Sequence, residues 1–317
     1  MNRTPPPRYY PADEIRGTLT MAEAIKAVRE ALVELSTGRA IVPARTSLEV
    51  SGRRTTALVM PAYLPRTGRL GVKLISLCED NPAKGLPLAQ AVTILMDAFN
   101  GTPLAVLDAG YLTAVRTGAA SAVATDALAA KGARVAAIFG AGVQGRTQLE
   151  AIASVRRLRK AFVFDVDAGA AEVFAKEMSA RLGLEIEPAS SPAALAQADI
   201  VSTATTSAAP VFADGDLKLG VHINAIGSYK PHVREVPGET IRRASVFVDD
   251  RRTALEEAGD LIIPIREGLI GEDHIRAEIG EVLAGLKPGR VSDDETTLFK
   301  SVGNAVLDLA VASLVAG

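Results

Sequence analysis

The chain has 317 residues, 48% of them apolar and 23% charged, with a formal net charge of −2. At roughly 150 residues per domain this length predicts about two domains, and so small a net charge leaves no global basic field for nucleic acid or an anionic membrane. One Cys, three His and no Trp exclude an internal disulfide and a Cys/His zinc cluster, so the chemistry must come from Asp, Glu, Lys and Arg or from a bound cofactor, with no metal expected.

Residues 1–17 begin with three consecutive prolines and lack an apolar core. They predict an extended arm rather than a signal peptide. The longest uncharged run, between Asp199 and Asp214, is too short to cross a bilayer, and a cytoplasmic location is expected. Thr20 followed by Glu23 predicts a capping box. The helix it opens carries Ile25, Val28, Leu32 and Leu35 on one face, runs to about Thr37 and ends at Gly38.

From 41 to 108 the pattern changes to short β-like runs separated by Gly, Pro and Asn (TSLEV, TTALVM, LGVKLISLC, AVTILMDAF and TPLAVLD). They predict an antiparallel sheet, with Asn100-Gly101 as a type I′ hairpin turn. Residues 111–130 are Ala-rich and helical, interrupted by Gly118. RVAAIF (134–139) then reads as a buried strand, followed by a helix to about Val155, a second strand AFVF (161–164) and a helix over 168–182. DIVSTAT (199–205), VHINAIG (221–227) and SVFVDD (245–250) are further strands. This alternation predicts an α/β fold with a doubly wound parallel sheet. Residues 296–315 read as a final helix through Leu298, Val302, Ala305, Leu309 and Ala312.

Between the first strand and helix of the α/β part lies Gly140-Ala141-Gly142-Val143-Gln144-Gly145, a GxGxxG match. Its three glycines serve a tight turn, close approach of backbone N–H groups to a pyrophosphate, and close helix–strand packing. Asp165 ends the next strand, 20 residues beyond Gly145, where a carboxylate accepts hydrogen bonds from an adenosine ribose and repels a 2′-phosphate. The pattern favours NAD, with NADP possible because Arg146 or Arg159 lies near enough in sequence to receive a phosphate.

Several stretches together resemble the ornithine cyclodeaminase/μ-crystallin family. They are PARTSLEV (43–50), VMPAYLP (59–65), GVKLIS (71–76), the segment 96–125 containing TAVRTGAASA, GAGVQG, TATTSAAPVF (203–212), VHINAIGSYKPHVREV (221–236) and TTLFKSVGNAVLDLA (296–310). The resemblance runs through nearly the whole chain in collinear order. It implies a substrate-binding and dimerisation domain of residues 1–112 with 296–317, built on the antiparallel sheet and closed by the terminal helix. A Rossmann domain of residues 113–295 and a homodimer are implied with it.

The resemblance also implies that Arg45, Lys73 and Arg116 surround the carboxylate of a small imino or amino acid. Arg offers a planar two-pronged donor and Lys a mobile point charge. Lys73 lies inside an apolar run, where a cation requires a partner or an anion. Thr117 is expected to serve cofactor phosphate or substrate, Thr203 and Thr205 to line the cofactor path, and Asn224, Ala225 and Gly227 to lie near the nicotinamide. Two departures select a branch. Where cyclodeaminases carry an Asp after the Gly of the INAIG-type stretch, this chain has Ser228, whose hydroxyl is no base near neutrality. Where a Glu would hold the distal ammonium of ornithine, it has Leu58. Both point to an NAD(P)-dependent imine reductase or amino-acid dehydrogenase acting by direct hydride transfer. The alternatives are an NAD-dependent ornithine cyclodeaminase, or a cofactor-loaded crystallin-like binding protein. His222 reads as a buried structural residue, His232 as a pocket neighbour, His274 as solvated surface and Cys78 as a small core residue.

Overall fold

The computed structural model describes residues 6–317, so the first five residues of the expected arm lie outside the described residues. The chain divides into two compact units. One runs to Arg116 and resumes over Asn304–Gly317, and the other is Thr117–Gly303.

The first unit contains β1 (Arg8–Tyr10), α1 (Ala12–Thr18), α2 (Met21–Ser36), β2 (Thr46–Glu49), β3 (Thr55–Leu64), β4 (Arg69–Cys78), β5 (Ala89–Asp97), β6 (Pro103–Asp108), the first turns of α3 (Ala109–Leu128) and α11 (Ala305–Ala316). The sheet order is β1-β6-β5-β4-β3-β2. The pairs from β2 to β6 are antiparallel. The arm is not extended throughout. Arg8–Tyr10 pairs in parallel with Ala105–Leu107 of β6 and satisfies the edge of the sheet, and a short helix follows. The capping box of α2 forms as expected, with Glu23 N donating to Thr20 Oγ1 and Thr20 N to Glu23.

The β5–β6 hairpin forms, but its turn is not type I′. No non-glycine residue among those described has positive φ, so in this turn Asn100 is not left-handed and Gly101 alone is, at +73°. The wider loop is organised by Asp97, whose Oδ1 accepts the N–H groups of Phe99 (2.8 Å) and Asn100 (3.2 Å). An aspartate side chain that satisfies two turn N–H groups competes with the tight two-residue turn. On one face of the sheet Met60, Ala62, Leu64, Ile75, Leu95 and Leu107 are buried, and α11 packs close by. A Cβ at Gly71 would lie 2.7 Å from both Ile94 O and Leu309 Cδ1.

The second unit begins within α3 and continues through β7 (Val135–Phe139), α4 (Val143–Val155), β8 (Lys160–Phe164), α5 (Ala168–Leu182), β9 (Glu185–Pro188), α6 (Pro192–Leu195) and β10 (Ile200–Thr203). It ends with β11 (His222–Ala225), α7 (Gly238–Arg243), β12 (Ser245–Val248), α8 (Arg251–Glu257), α9 (Gly259–Arg266), β13 (Ile275–Glu278), α10 (Ile279–Leu283) and β14 (Thr297–Lys300). All eight strands are parallel, in the order β13-β12-β14-β11-β10-β7-β8-β9. The chain winds outward from β7 in one direction and from β10 in the other. The C-terminal ends of β7 and β10 therefore form the switch point where ligands bind in such sheets.

Two sequence expectations change here. Residues 297–300 are a strand between β11 and β12 rather than the start of the terminal helix. Thr297, Leu298, Phe299 and Lys300 are all buried, and Gly303 at φ +82° with Asn304 as N-cap separates them from α11. Strands β9 and β13, short and rich in charge, escape the hydrophobic pattern altogether. Gly118 has a packing reason. A Cβ there would stand 2.7 Å from Thr147 O, so glycine lets α3 approach α4.

Candidate substrate and cofactor sites

Alternation along β4 places Leu70 and Leu74 outward and Gly71, Lys73 and Ile75 on the buried face. Lys73 is thus turned inward, 2% exposed, while Leu74 is 46% exposed. A buried ammonium demands a counter-ion, and Asp308 of α11 provides it. Asp308 Oδ1 accepts from Lys73 Nζ at 2.9 Å and from Arg116 Nε at 3.3 Å. Burial pushes the Lys73 pKa down, and neighbouring Arg116 and Arg45 add to this against the pull of Asp308, bringing it to about 8. For Asp308 burial acts upward, but Arg116 and Lys73 outweigh it and hold the carboxyl below its usual range.

Arg45, Lys73 and Arg116, far apart in sequence, are therefore neighbours. Asp308 was not among the sequence candidates. The signal was present, since Asp308 is the only charged residue between Lys300 and Gly317, and a lone carboxylate in an apolar helix needs a cation.

In the second unit β7 ends in Gly140 at φ +101°, where a Cβ would sit 2.5 Å from Ala204 O. Gly142 is the N-cap of α4, with no side-chain hydrogen bond to the helix end. Around its Cα there is open space, with no atom within 4 Å of a built Cβ. A Cβ on Gly145 would collide with the carbonyl of Gly140. These are the three requirements of a dinucleotide cradle: a left-handed turn, an uncapped and accessible helix N-terminus, and a helix pressed onto its strand. Val143 is exposed and Gln144 half-buried beside it. Asp165 Oδ2 accepts the Ala141 N–H at 2.7 Å and Oδ1 the Asp167 N–H at 2.9 Å. Each oxygen keeps a second lone pair for a ribose hydroxyl. Arg146 is held by Glu177 at 2.9 Å and by the Ala141 carbonyl.

The loops after β10 and β11 are built around Glu235, which sequence reasoning missed. Its Oε1 accepts both N–H and O–H of Thr205, and its Oε2 accepts Thr203 Oγ1 at 3.1 Å and Ser228 N at 2.9 Å. Burial and the nearby Asp260 raise its pKa, while Lys300 and Thr205 counteract. Asp260 accepts the N–H groups of Glu235 (2.7 Å) and Val236 (3.0 Å) and pairs with Lys300 at 2.8 Å. A Cβ at Gly227 would meet Glu235 Oε1 at 2.5 Å, so that glycine makes room for the carboxylate.

The other side chains singled out in the sequence are held as follows. Thr203 and Thr205 are tied to Glu235. Asn224 donates to Thr125 Oγ1 at 2.9 Å and lies 3.2 Å from His222 Nε2. Ser228 donates its hydroxyl to Val233 O at 2.7 Å. Ala225 is fully buried and Thr117 is buried on α3. His222 is buried and neutral, its pKa pushed to about 3 by burial and by Arg290. His274 is half-buried and bonded to Ile241 O at 2.8 Å, not solvated. Cys78 is half-buried beside Thr55 Oγ1.

Residues 10–317 match the model of the ornithine cyclodeaminase/mu-crystallin family. The chain belongs to that family. It is 40% identical over 303 residues to a Delta(1)-pyrroline-2-carboxylate reductase of Bacillus cereus, covering 95% of this chain and 93% of the relative. Its fold is similar to Thermococcus litoralis Delta(1)-pyrroline-2-carboxylate reductase in complex with NADH and L-proline, with TM-score 0.94 and 43% identity over 97% of this chain and 96% of that one. It is also similar to an archaeal alanine dehydrogenase dimer with bound NAD, with TM-score 0.92 and 36% identity over 98% and 94% of the two chains. Among the described residues no helix is long and apolar enough to cross a membrane.

Proposed function

We infer that this chain is an NAD-dependent oxidoreductase that interconverts the imine and amine of a small α-amino acid, with a cyclic imino acid of the pyrroline-2-carboxylate type as substrate. The observation that carries the reading is the buried Lys73–Asp308–Arg116 cluster beside Arg45. A family member with this cluster and a glycine-rich cradle in its second unit has an anchor for a small carboxylate and a seat for a dinucleotide.

Substrate binding and dimerisation are assigned to the first unit, and cofactor binding to the second. When bound, NADH supplies the hydride for the imine carbon. The N–H groups opening α4 hold its pyrophosphate, Asp165 takes ribose hydroxyls, and the Ala225–Gly227 backbone forms the wall steadied by Glu235. Arg45, Lys73 and Arg116 fix the substrate carboxylate, which orients the imine carbon. A protonated imine carbon is already electrophilic, so positioning is the main work left to the chain. With Arg146 drawn to Glu177 and Asp165 at the ribose position, NAD is preferred over NADP.

The cyclodeaminase alternative is not favoured. Ser228 carries no carboxylate and its hydroxyl is engaged by Val233 O, and Leu58 cannot pair with a distal ammonium. We further propose a homodimer formed by a second copy on the exposed sheet face that carries Val59, Leu70 and Leu74, as the archaeal neighbour is a dimer, and a cytoplasmic location.

The test is a screen of NADH and NADPH oxidation with pyrroline-2-carboxylate, piperideine-2-carboxylate, and pyruvate plus ammonia. Fastest turnover is expected with NADH and pyrroline-2-carboxylate. No oxidation with any of the three overturns the reading.

A further inference from the structure

The two oxygens of Asp308 are used unequally. Oδ1 receives both Lys73 Nζ and Arg116 Nε, whereas Oδ2 is buried and has no hydrogen-bond donor among the described residues. The carboxyl is ionised, because the two cations outweigh the effect of burial. An unmet acceptor on a buried ion is costly, so the position is matched to a ligand that brings a donor. The donor must belong to a molecule whose other end satisfies Arg45, Lys73 and Arg116, which means a carboxylate.

An α-imino or α-amino acid has that pair of features on neighbouring atoms, an anion and a cationic N–H. The parent 2-oxo acid presents a carbonyl oxygen in place of the N–H, which cannot donate and would face the carboxylate lone pairs. We propose that Asp308 is a specificity-determining residue whose Oδ2 accepts the substrate N–H, selecting iminium and ammonium acids over carboxylates lacking nitrogen. This rests on the reading above that the three cations hold the substrate carboxylate. It also gives the loss of a carboxylate at Ser228 a counterpart, because a carboxylate from the terminal helix serves the nitrogen. A charge-assisted bond of this kind is roughly twice as strong as a neutral one.

The test compares two ligands of similar shape, L-proline and cyclopentanecarboxylate, binding to the NAD-loaded protein, with dissociation constants read by calorimetry. Wild type is expected to prefer proline by roughly tenfold or more. Asp308→Asn should abolish that preference, with proline losing clearly more affinity than cyclopentanecarboxylate. If Asp308→Asn does not melt cooperatively, Asp308→Ser is read in the same way. Equal binding of the two ligands by wild type overturns the proposal alone. So does a variant that weakens both ligands equally, because Asp308 would then act only through Lys73 and Arg116. Failure of wild type to bind either carboxylate overturns the functional reading and the proposal with it.

Discussion

Glu235 Oε1 accepts both the backbone N–H and the hydroxyl of Thr205, each at 2.7 Å. With Thr203 Oγ1 and Ser228 N on the other oxygen, one buried side chain joins the ends of β10 and β11. Glu235→Gln replaces an acceptor with an NH₂ that faces donors. We expect a loss of about 1–3 kcal/mol in stability and a several-fold rise in the KM for NADH. Thermal melting and NADH titration check both, and unchanged NADH affinity would remove Glu235 from the cofactor wall.

Lys73 predicts a pH dependence. Its folded pKa is about 8, below the ordinary lysine value of 10.5, so the ammonium is charged below pH 8 and neutral above it. Carboxylate binding should weaken as pH rises through about 8. A carboxylate without titratable nitrogen, such as cyclopentanecarboxylate, reports this without interference from the substrate. Its inhibition constant should rise above pH 8 in wild type and stay flat in Lys73→Met, where binding is weaker throughout. For stability the sign is opposite. Between about 8 and 10.5 the unfolded chain binds the extra proton, so this group makes the fold more stable as pH rises through that window.

Gly142 and Gly145 separate cofactor binding from folding. Gly145→Ala forces a Cβ onto the Gly140 carbonyl, so both melting temperature and NADH affinity should fall. Gly142→Ala meets no protein atom and has an ordinary φ of −81°. Its melting temperature should stay near wild type while NADH binding drops at least tenfold, because the added methyl stands where the pyrophosphate approaches. Unaltered NADH binding in Gly142→Ala would argue that the cradle holds no phosphate.

The outward face of the antiparallel sheet predicts assembly. Leu70→Glu with Leu74→Glu should convert a dimer to a folded monomer in sedimentation experiments. A wild-type monomer at micromolar concentration would dispose of the proposed interface.

Much of the fold was legible because its signals are local. The capping box at Thr20, the alternation in β4 and the glycine spacing before α4 each depend on a few adjacent residues. Strand β14 misled because Leu298, Val302, Ala305, Leu309 and Ala312 happen to share a helical spacing across a real break at Gly303 and Asn304. The site divides in the same way. Lys73 in an apolar run already asked for a partner, but pairing it with Asp308 requires knowing that α11 lies across β4. Glu235 gave no sign of itself, since its donors Thr203 and Thr205 come from the end of β10 and the loop after it, and Ser228 from seven positions upstream in its own loop. Sequence reading registers which groups can donate and not which neighbour receives them, so it placed Thr203 and Thr205 on the cofactor path without seeing the carboxylate that holds both.

The pairing of Asp308 with Arg116 spans 192 positions of the chain, with the whole parallel-sheet unit encoded between them. At roughly 5–20 residues per second of synthesis, the carboxylate follows the arginine by about 10 to 40 s. Throughout that interval Lys73 and Arg116 have no Asp308 to receive them, and by its end every residue of the dinucleotide cradle has been made. Each new chain thus completes its nucleotide-binding parts before its substrate-anchoring parts, and the first unit cannot close its charged interior until the second has been translated in full.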